Sequence, residues 1–241
     1  PTRFQHIAAD VFGLHGTCAL PAVFQAASQF NCLEHPSPRV DRTAGIRNYH
    51  KDLTQGPACA LCTAPDTLVR NNAPPIDLAP ALPQTNGYYE LTRESAVEPP
   101  FNLSVGCLVD APVAMTSRPE EYVEYDPDYD PEINERGAKR ARMSPDAAVD
   151  TRRRVDQVYC AAACVMRGGD ASDPGVANTG RFILNRMYMA TLDHAVQRGI
   201  QNVYLTLLGG GAFGNPPEWI AGAIARAVFA YRDSELVIWV V

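Results

Sequence analysis

From residue 155 onward the hydrophobic pattern switches between strand and helix periods, and few folds accommodate that alternation. Asp156–Met166 reads as a strand, apolar along most of its length. Arg181–Arg198 reads as a helix: Phe182, Met189, Leu192 and Val196 recur at helical spacing, and Gly199 supplies a stop. Asn202–Leu208 is a second strand, Glu218–Tyr231 a second helix and Leu236–Val241 a third strand. Strands separated by helices require right-handed crossovers and a largely parallel sheet covered on both faces.

Between the second strand and second helix runs Gly209-Gly210-Gly211-Ala212-Phe213-Gly214-Asn215-Pro216-Pro217. Glycine loses more conformational freedom on folding than any other residue, and one would suffice for a tight turn. Strand, glycine loop and helix together place bare backbone N–H groups and a helix N-terminus at the carboxyl edge of a sheet, where α/β proteins hold phosphates. Pro216-Pro217-Glu218 suits the start of that helix, with Asn215 as its expected cap. No Gly-Lys-Ser/Thr follows, so this is not a Walker loop. Gly209-x-Gly211-x-x-Gly214 has no nucleotide-binding unit after it, so it is not a dinucleotide fingerprint.

A chain of 241 residues with 46% hydrophobic content can bury a sizeable core, as one large α/β domain or two small ones. A formal net charge of −6 argues against a protein that coats nucleic acid. Without a long apolar run or a signal-peptide pattern, the expectation is a soluble intracellular protein, cytoplasmic or nuclear, with no membrane partner. Seven cysteines, set mostly among apolar residues, read as reduced thiols rather than a disulfide frame. Cys59 and Cys62 form a C-x-x-C, but Cys160 and Cys164 read as buried on one strand face, so neither zinc nor another cofactor is expected.

Residues 1–72 are turn-rich with two apolar helical stretches. Residues 73–154 are proline-rich and irregular, and read as an insertion or extended arm within a single domain spanning 1–241. They hold an acidic, tyrosine-rich run at 120–130 and basic clusters at 139–142 and 152–154. The proximity of opposite charges favours a solvated, charge-balanced loop over a nuclear address. Residues 101–109 have strand character.

In the first zone, polar side chains are embedded among apolar ones: Gln25-Ala26-Ala27-Ser28-Gln29-Phe30-Asn31, then Asp52-Leu53-Thr54-Gln55-Gly56-Pro57-Ala58-Cys59, then Thr67-Leu68-Val69-Arg70-Asn71. Buried polar groups must be hydrogen-bonded, so a cluster of them suggests a polar site in a packed wall. Thr54–Pro57 looks like a loop entering a helix.

Tyr204–Asn215, with the helix and apolar strand after it, resembles the macrodomain superfamily, in particular its microbial branch related to poly(ADP-ribose) glycohydrolase. The resemblance implies a three-layer α/β/α domain with a mixed sheet that binds ADP-ribose, free or on a protein. It implies diphosphate contacts from Gly209, Gly210, Gly211, Ala212 and Gly214, packing of Phe213 on a ribose, and a polar contact from Asn215. Gln25–Asn31 is similar to the family segment beside the distal ribose, which makes Asn31 the ribose-binding residue. Gln55 and Gly56 then fall at the end of the first ligand loop, and Asp10 becomes the acceptor for the adenine amino group. The branch carries a Gln-Glu-Glu whose second Glu is the acid, and this sequence has none. Glu34 and Asp52 are the acids that stand nearest, and with Asn31 they are the catalytic candidates.

Three functional classes follow. An ADP-ribosyl glycohydrolase needs an acid for the leaving group, which Glu34 or Asp52 supplies. A non-catalytic reader needs only the glycine loop, and the missing Gln-Glu-Glu favours it. A thiol hydrolase would use Cys59 near a helix N-terminus with Gln55 as oxyanion donor. Bland alternatives stand beside each: an ion-paired Glu34, an Asx turn at Asp52, a satisfied buried amide at Asn31, surface ion pairs at Arg47 and Arg70, and a turn at His35.

Overall fold

The computed structural model describes residues 1–34, 37–40, 46, 49, 52–74, 76–117, 152–166 and 168–241. The acidic run at 120–130, the basic cluster at 139–142, Arg47, His35 and His50 lie outside the described residues. Among those described, the strands are Arg3–His6 (β1), Ala22–Ser28 (β2), Gly106–Pro112 (β3), Arg154–Ala161 (β4), Asn202–Leu205 (β5) and Val237–Val240 (β6). The helices are Val11–Thr17 (α1), Gln55–Cys62 (α2), Ala64–Asn72 (α3), Pro174–Arg198 (α4) and Pro217–Ala230 (α5).

The strands form one sheet in the order β1-β6-β5-β2-β4-β3, parallel throughout except for the antiparallel edge strand β3. β2, β4 and β5 are buried nearly end to end, as expected of parallel strands covered on both faces. Their alternation sorts the core into two layers. Val23, Val158, Cys160, Val203, Leu205 and Ile238 face the large cluster under α4 and α5. Phe24, Ala26, Val155, Tyr159 and Tyr204 face the smaller clusters with α1 and α2. The expected three-layer α/β/α mixed sheet is the observed architecture.

Three boundaries differ from the sequence reading, each for a visible reason. α4 starts at Pro174 rather than residue 181, because the Asp173 carboxylate accepts from the N–H of Gly175 at 2.9 Å and of Val176 at 3.1 Å, with Pro174 in the first turn. β5 stops at Leu205 rather than 208: the Tyr188 hydroxyl donates to the Thr206 carbonyl at 2.7 Å and accepts from Leu208 N–H at 3.0 Å, replacing the ladder. β4 stops at Ala161, and Cys164 instead exchanges backbone bonds with Tyr89 and Leu91. Gly199 ends α4 in the left-handed conformation, as its position predicts.

The proline-rich zone is woven into the body where it is described. Leu78, Ala79, Leu82, Tyr89, Leu91 and Leu103 are buried, and β3 begins at Gly106, overlapping the strand expected at 101–109. Arg153 is tied into the body, while Arg154 stays exposed. Arg153 donates to the carbonyls of His15 at 3.0 Å and Cys18 at 2.8 Å, and Arg154 opens β4. No described helix is long and apolar enough to cross a membrane.

Candidate functional site: a crevice at the carboxyl ends of the central strands

β2 and β5 pair only from Ala22 to Phe24 against Asn202 to Tyr204, and then separate. On the side β5 has left, the Gln55 amide fills the gap. It donates to the Gln25 carbonyl at 2.7 Å and accepts from Ala27 N–H at 2.8 Å. Beyond this plug lies a cavity of about 350 Å³, within the range of small-molecule sites. Ser28, Gln29, Glu34, Asp52, Thr54 and Gln55 line it together with Tyr88, Glu90, Cys164, Thr206 and the glycine loop.

In the loop, Gly209 and Gly214 have φ of +72° and +65°, values glycine adopts without strain. A Cβ at Gly209 would stand 2.5 Å from the Asn215 amide nitrogen and 2.7 Å from Ala162. Gly211 differs: no heavy atom lies within 4 Å of where its Cβ would be. The glycine content therefore serves two ends, an internal fold-back at 209 and 214 and an open surface at 211. No described residue accepts from the N–H groups of Gly211, Ala212 or Phe213, a short row of donors beside the cavity. Phe213 and Tyr88 are half-buried and set at a tilt, ring centroids 5.8 Å apart.

Asn215 is not the cap of α5. Pro216 holds that position and makes no side-chain cap. The buried Asn215 amide donates to the carbonyls of Ala163 at 2.8 Å and Gly209 at 3.2 Å, pinning the loop onto the end of β4. Gly210 packs toward Ile220, and Gly214 packs on Met166.

Glu34 lines the same cavity and is 7% exposed. Burial pushes its carboxyl up to about 8, despite a hydrogen bond from Gln29 and the charge of Arg70, which both pull it down; the Asp52 charge pushes the same way as burial. Glu34 is thus largely protonated at neutral pH, the state a general acid requires. Gly56 allows this close approach, since a Cβ there would meet the Ala27 carbonyl and sit 2.8 Å from Glu34 Oε2. Asp52 forms the Asx turn: Oδ1 accepts from Thr54 N–H at 2.9 Å and from its hydroxyl at 2.6 Å.

The remaining expected residues are placed elsewhere. Asp10 caps α1, accepting from Gly13 N–H at 2.9 Å, and does not line the cavity. Asn31 also stands outside the lining. Its amide donates to Asn86 at 3.2 Å and accepts from Leu33 N–H at 3.1 Å. Gln55 lines the cavity with its amide committed to β2. Cys59 is fully buried, accepts from Gln55 Nε2 at 3.0 Å, and burial pushes its thiol far up, so it is neither exposed nor ionised as a nucleophile must be. Arg70 is no surface ion pair: its guanidinium lies over the Tyr159 ring, 3.8 Å from the centroid. No described group of three His, Cys, Asp or Glu side chains is arranged to hold a metal.

Tyr88 and Glu90 were missed because they fall in the zone read as an arm. A signal existed. Asn86-Gly87 has positive φ at both residues and closes a tight reversal in which Thr85 and Tyr88 exchange bonds of 2.8 and 2.9 Å. An Asn-Gly pair is the strongest short-range sign of such a turn.

No protein-family model matches the sequence, and no curated protein matches it. Solved structures do match by shape. An ADP-ribose complex of a mutant poly(ADP-ribose) glycohydrolase from Deinococcus radiodurans superposes on 99% of this chain and 76% of its own, with a TM-score of 0.50 and 14% identity. The fold is that of poly(ADP-ribose) glycohydrolase. A second crystal form of the Deinococcus glycohydrolase with ADP-ribose gives a TM-score of 0.49 at 14% identity, covering 99% of this chain and 76% of its own. The glycohydrolase of Thermomonospora curvata gives 0.48 at 15%, over 100% and 70%. At such identity the likeness to the glycohydrolases is one of fold, and the chemistry has to come from this chain's own residues.

Proposed function

We propose that this crevice binds ADP-ribose, free or joined to a protein, and cleaves the ADP-ribosyl linkage with Glu34 as the acid. The diphosphate lies on the N–H groups of Gly211, Ala212 and Phe213, and a ribose packs against Phe213 and Tyr88. Glu34 protonates the leaving oxygen as the bond to the anomeric carbon breaks, and water completes the hydrolysis. The observation that carries this reading is the pairing, across one cavity, of a row of unpartnered N–H donors with a buried carboxyl held protonated at neutral pH.

Calorimetric titration with ADP-ribose, AMP and NAD tests the binding. Micromolar binding of ADP-ribose with weak AMP binding is the expected result, and no binding to folded protein rejects the site. Glu34→Gln then tests the chemistry: binding persists while turnover of ADP-ribosylated protein falls by roughly 10²–10⁴. A reader that only binds is the second reading, favoured by the near-complete burial of Glu34 and the capture of Asp52 by Thr54. It is the answer if wild-type protein binds ADP-ribose and releases none from modified protein.

A further inference from the structure

The glycine loop leans on a residue that does not itself line the crevice. Met166 lies beyond the end of β4, and its backbone N–H donates to the Phe213 carbonyl at 3.3 Å, beside Val165 N–H at 2.8 Å. Its side chain covers Gly214: a Cβ there would overlap Met166 Cγ and stand 3.1 Å from Sδ. Gly214 has a φ of +65°, and its N–H donates to the Gly211 carbonyl at 3.0 Å, closing the turn that carries the unpartnered N–H row. Met166 is also 66% exposed, whereas Met187 is fully buried and Met115 and Met189 are partly buried against the core. An accessible thioether is the one an oxidant reaches first. Its sulfoxide is polar, chiral and larger by one oxygen, so it no longer suits an apolar contact on bare backbone.

We propose that Met166 is a site of reversible oxidation by peroxides, and that its sulfoxide displaces the glycine loop and weakens the hold on the diphosphate. The effect on binding rests on the crevice being an ADP-ribose site. In the oxidation, a sulfur lone pair attacks one oxygen of hydrogen peroxide, the S–O bond forms and the O–O bond breaks. The departing hydroxide takes the proton left on the transferred oxygen and becomes water, and the sulfur is oxidised by two electrons. A dithiol reductase reverses the step: the oxygen leaves as water and the dithiol becomes a disulfide. In the reduced protein the thioether covers Gly214. In the oxidised protein the S–O group turns to water, the cover is lost, and the turn that aims the N–H groups of Gly211, Ala212 and Phe213 moves.

The test treats unliganded wild-type protein and Met166→Leu with graded hydrogen peroxide and follows both by peptide mass spectrometry and amide NMR. In wild type, Met166 is expected to gain one oxygen before Met115, Met187 and Met189, and the amide signals of Gly211, Ala212, Phe213 and Gly214 to move with it. Methionine sulfoxide reductase with a dithiol should return both. Met166→Leu keeps all seven cysteines and an apolar cover but has no sulfur at 166, so peroxide should leave its loop signals in place. In calorimetry, peroxide is expected to raise the Kd of wild type for ADP-ribose roughly tenfold and to leave that of Met166→Leu where it was. Met166→Gln, with an amide oxygen in place of the sulfoxide oxygen, should weaken binding without any oxidant. Oxidation of a buried methionine ahead of Met166, loop signals or a Kd unmoved once Met166 carries oxygen, or equal losses in Met166→Leu overturn the proposal. The loop signals are read without ligand, so failure here is distinct from failure to bind ADP-ribose.

Discussion

At the scale of single residues, the glycine loop separates into positions that hold the fold and a position that faces the crevice. Gly209→Ala forces a side chain into left-handed backbone and against Asn215 and Ala162. It is expected to cost roughly 1–3 kcal/mol in denaturant unfolding. Gly211→Glu meets no neighbour and has ordinary backbone, so stability should stay near wild type. The same substitution sets a carboxylate on the surface proposed to hold the diphosphate, so ADP-ribose binding should be lost in calorimetry. The sequence marks both residues alike. Only the sign of φ and the surroundings of the absent Cβ tell them apart. Glu34 was legible as an acid near the site, but not as a protonated one, because that depends on burial under Gly56, set by residues distant in sequence.

At the scale of elements, the sheet is tied at the end opposite the crevice by Asp156. Its carboxylate accepts from His194 at 2.9 Å, from Arg198 at 2.9 Å and from Asp110 N–H at 2.7 Å, joining β4, α4 and β3. Asp156→Ala removes this shared acceptor while the half-exposed Arg198 can turn to water, so stability should fall by roughly 1–3 kcal/mol. Urea unfolding reads that loss directly, while ADP-ribose affinity should be unaffected. The elements of residues 155–241 were legible because each has a strong period and strong stops, such as Gly199. Their ends were less so: β5 is shortened by the hydroxyl of Tyr188, a contact from another helix that no local pattern contains. β3 and the Tyr88 turn were obscured for a different reason. Proline-rich surroundings hide an edge strand whose exposed alternation is weak, and the Asn86-Gly87 turn is only two residues long.

At the scale of the whole molecule, two buried groups give stability opposite slopes with pH. His15 is held down to about 4 by burial, below its ordinary 6.5. The unfolded chain therefore binds its proton first, and stability is lost as pH falls from about 6.5 toward 4. Glu34 is raised from 4.5 to about 8, so the folded state holds its proton longer. That contribution is complete below pH 4.5 and is lost as pH rises to about 8. At pH 6.5 the unfolded His15 is half protonated and offsets part of the Glu34 slope, and about a pH unit higher only Glu34 of the two is changing, so wild-type protein should become less stable from pH 6.5 to 8. Glu34→Gln should remove that part of the slope, as thermal unfolding across the window will show.

The Gln55 plug carries one further consequence. A single side chain does the work of a missing peptide unit, so the wall of the crevice and the integrity of the sheet share one fastening. Any outward breathing of α2 unpicks that fastening and bares the Ala27 amide to solvent. The exchange rate of that one proton is then a clock for the opening of the pocket. It should run slower whenever something sits against Gln55, and faster in Gln55→Ala.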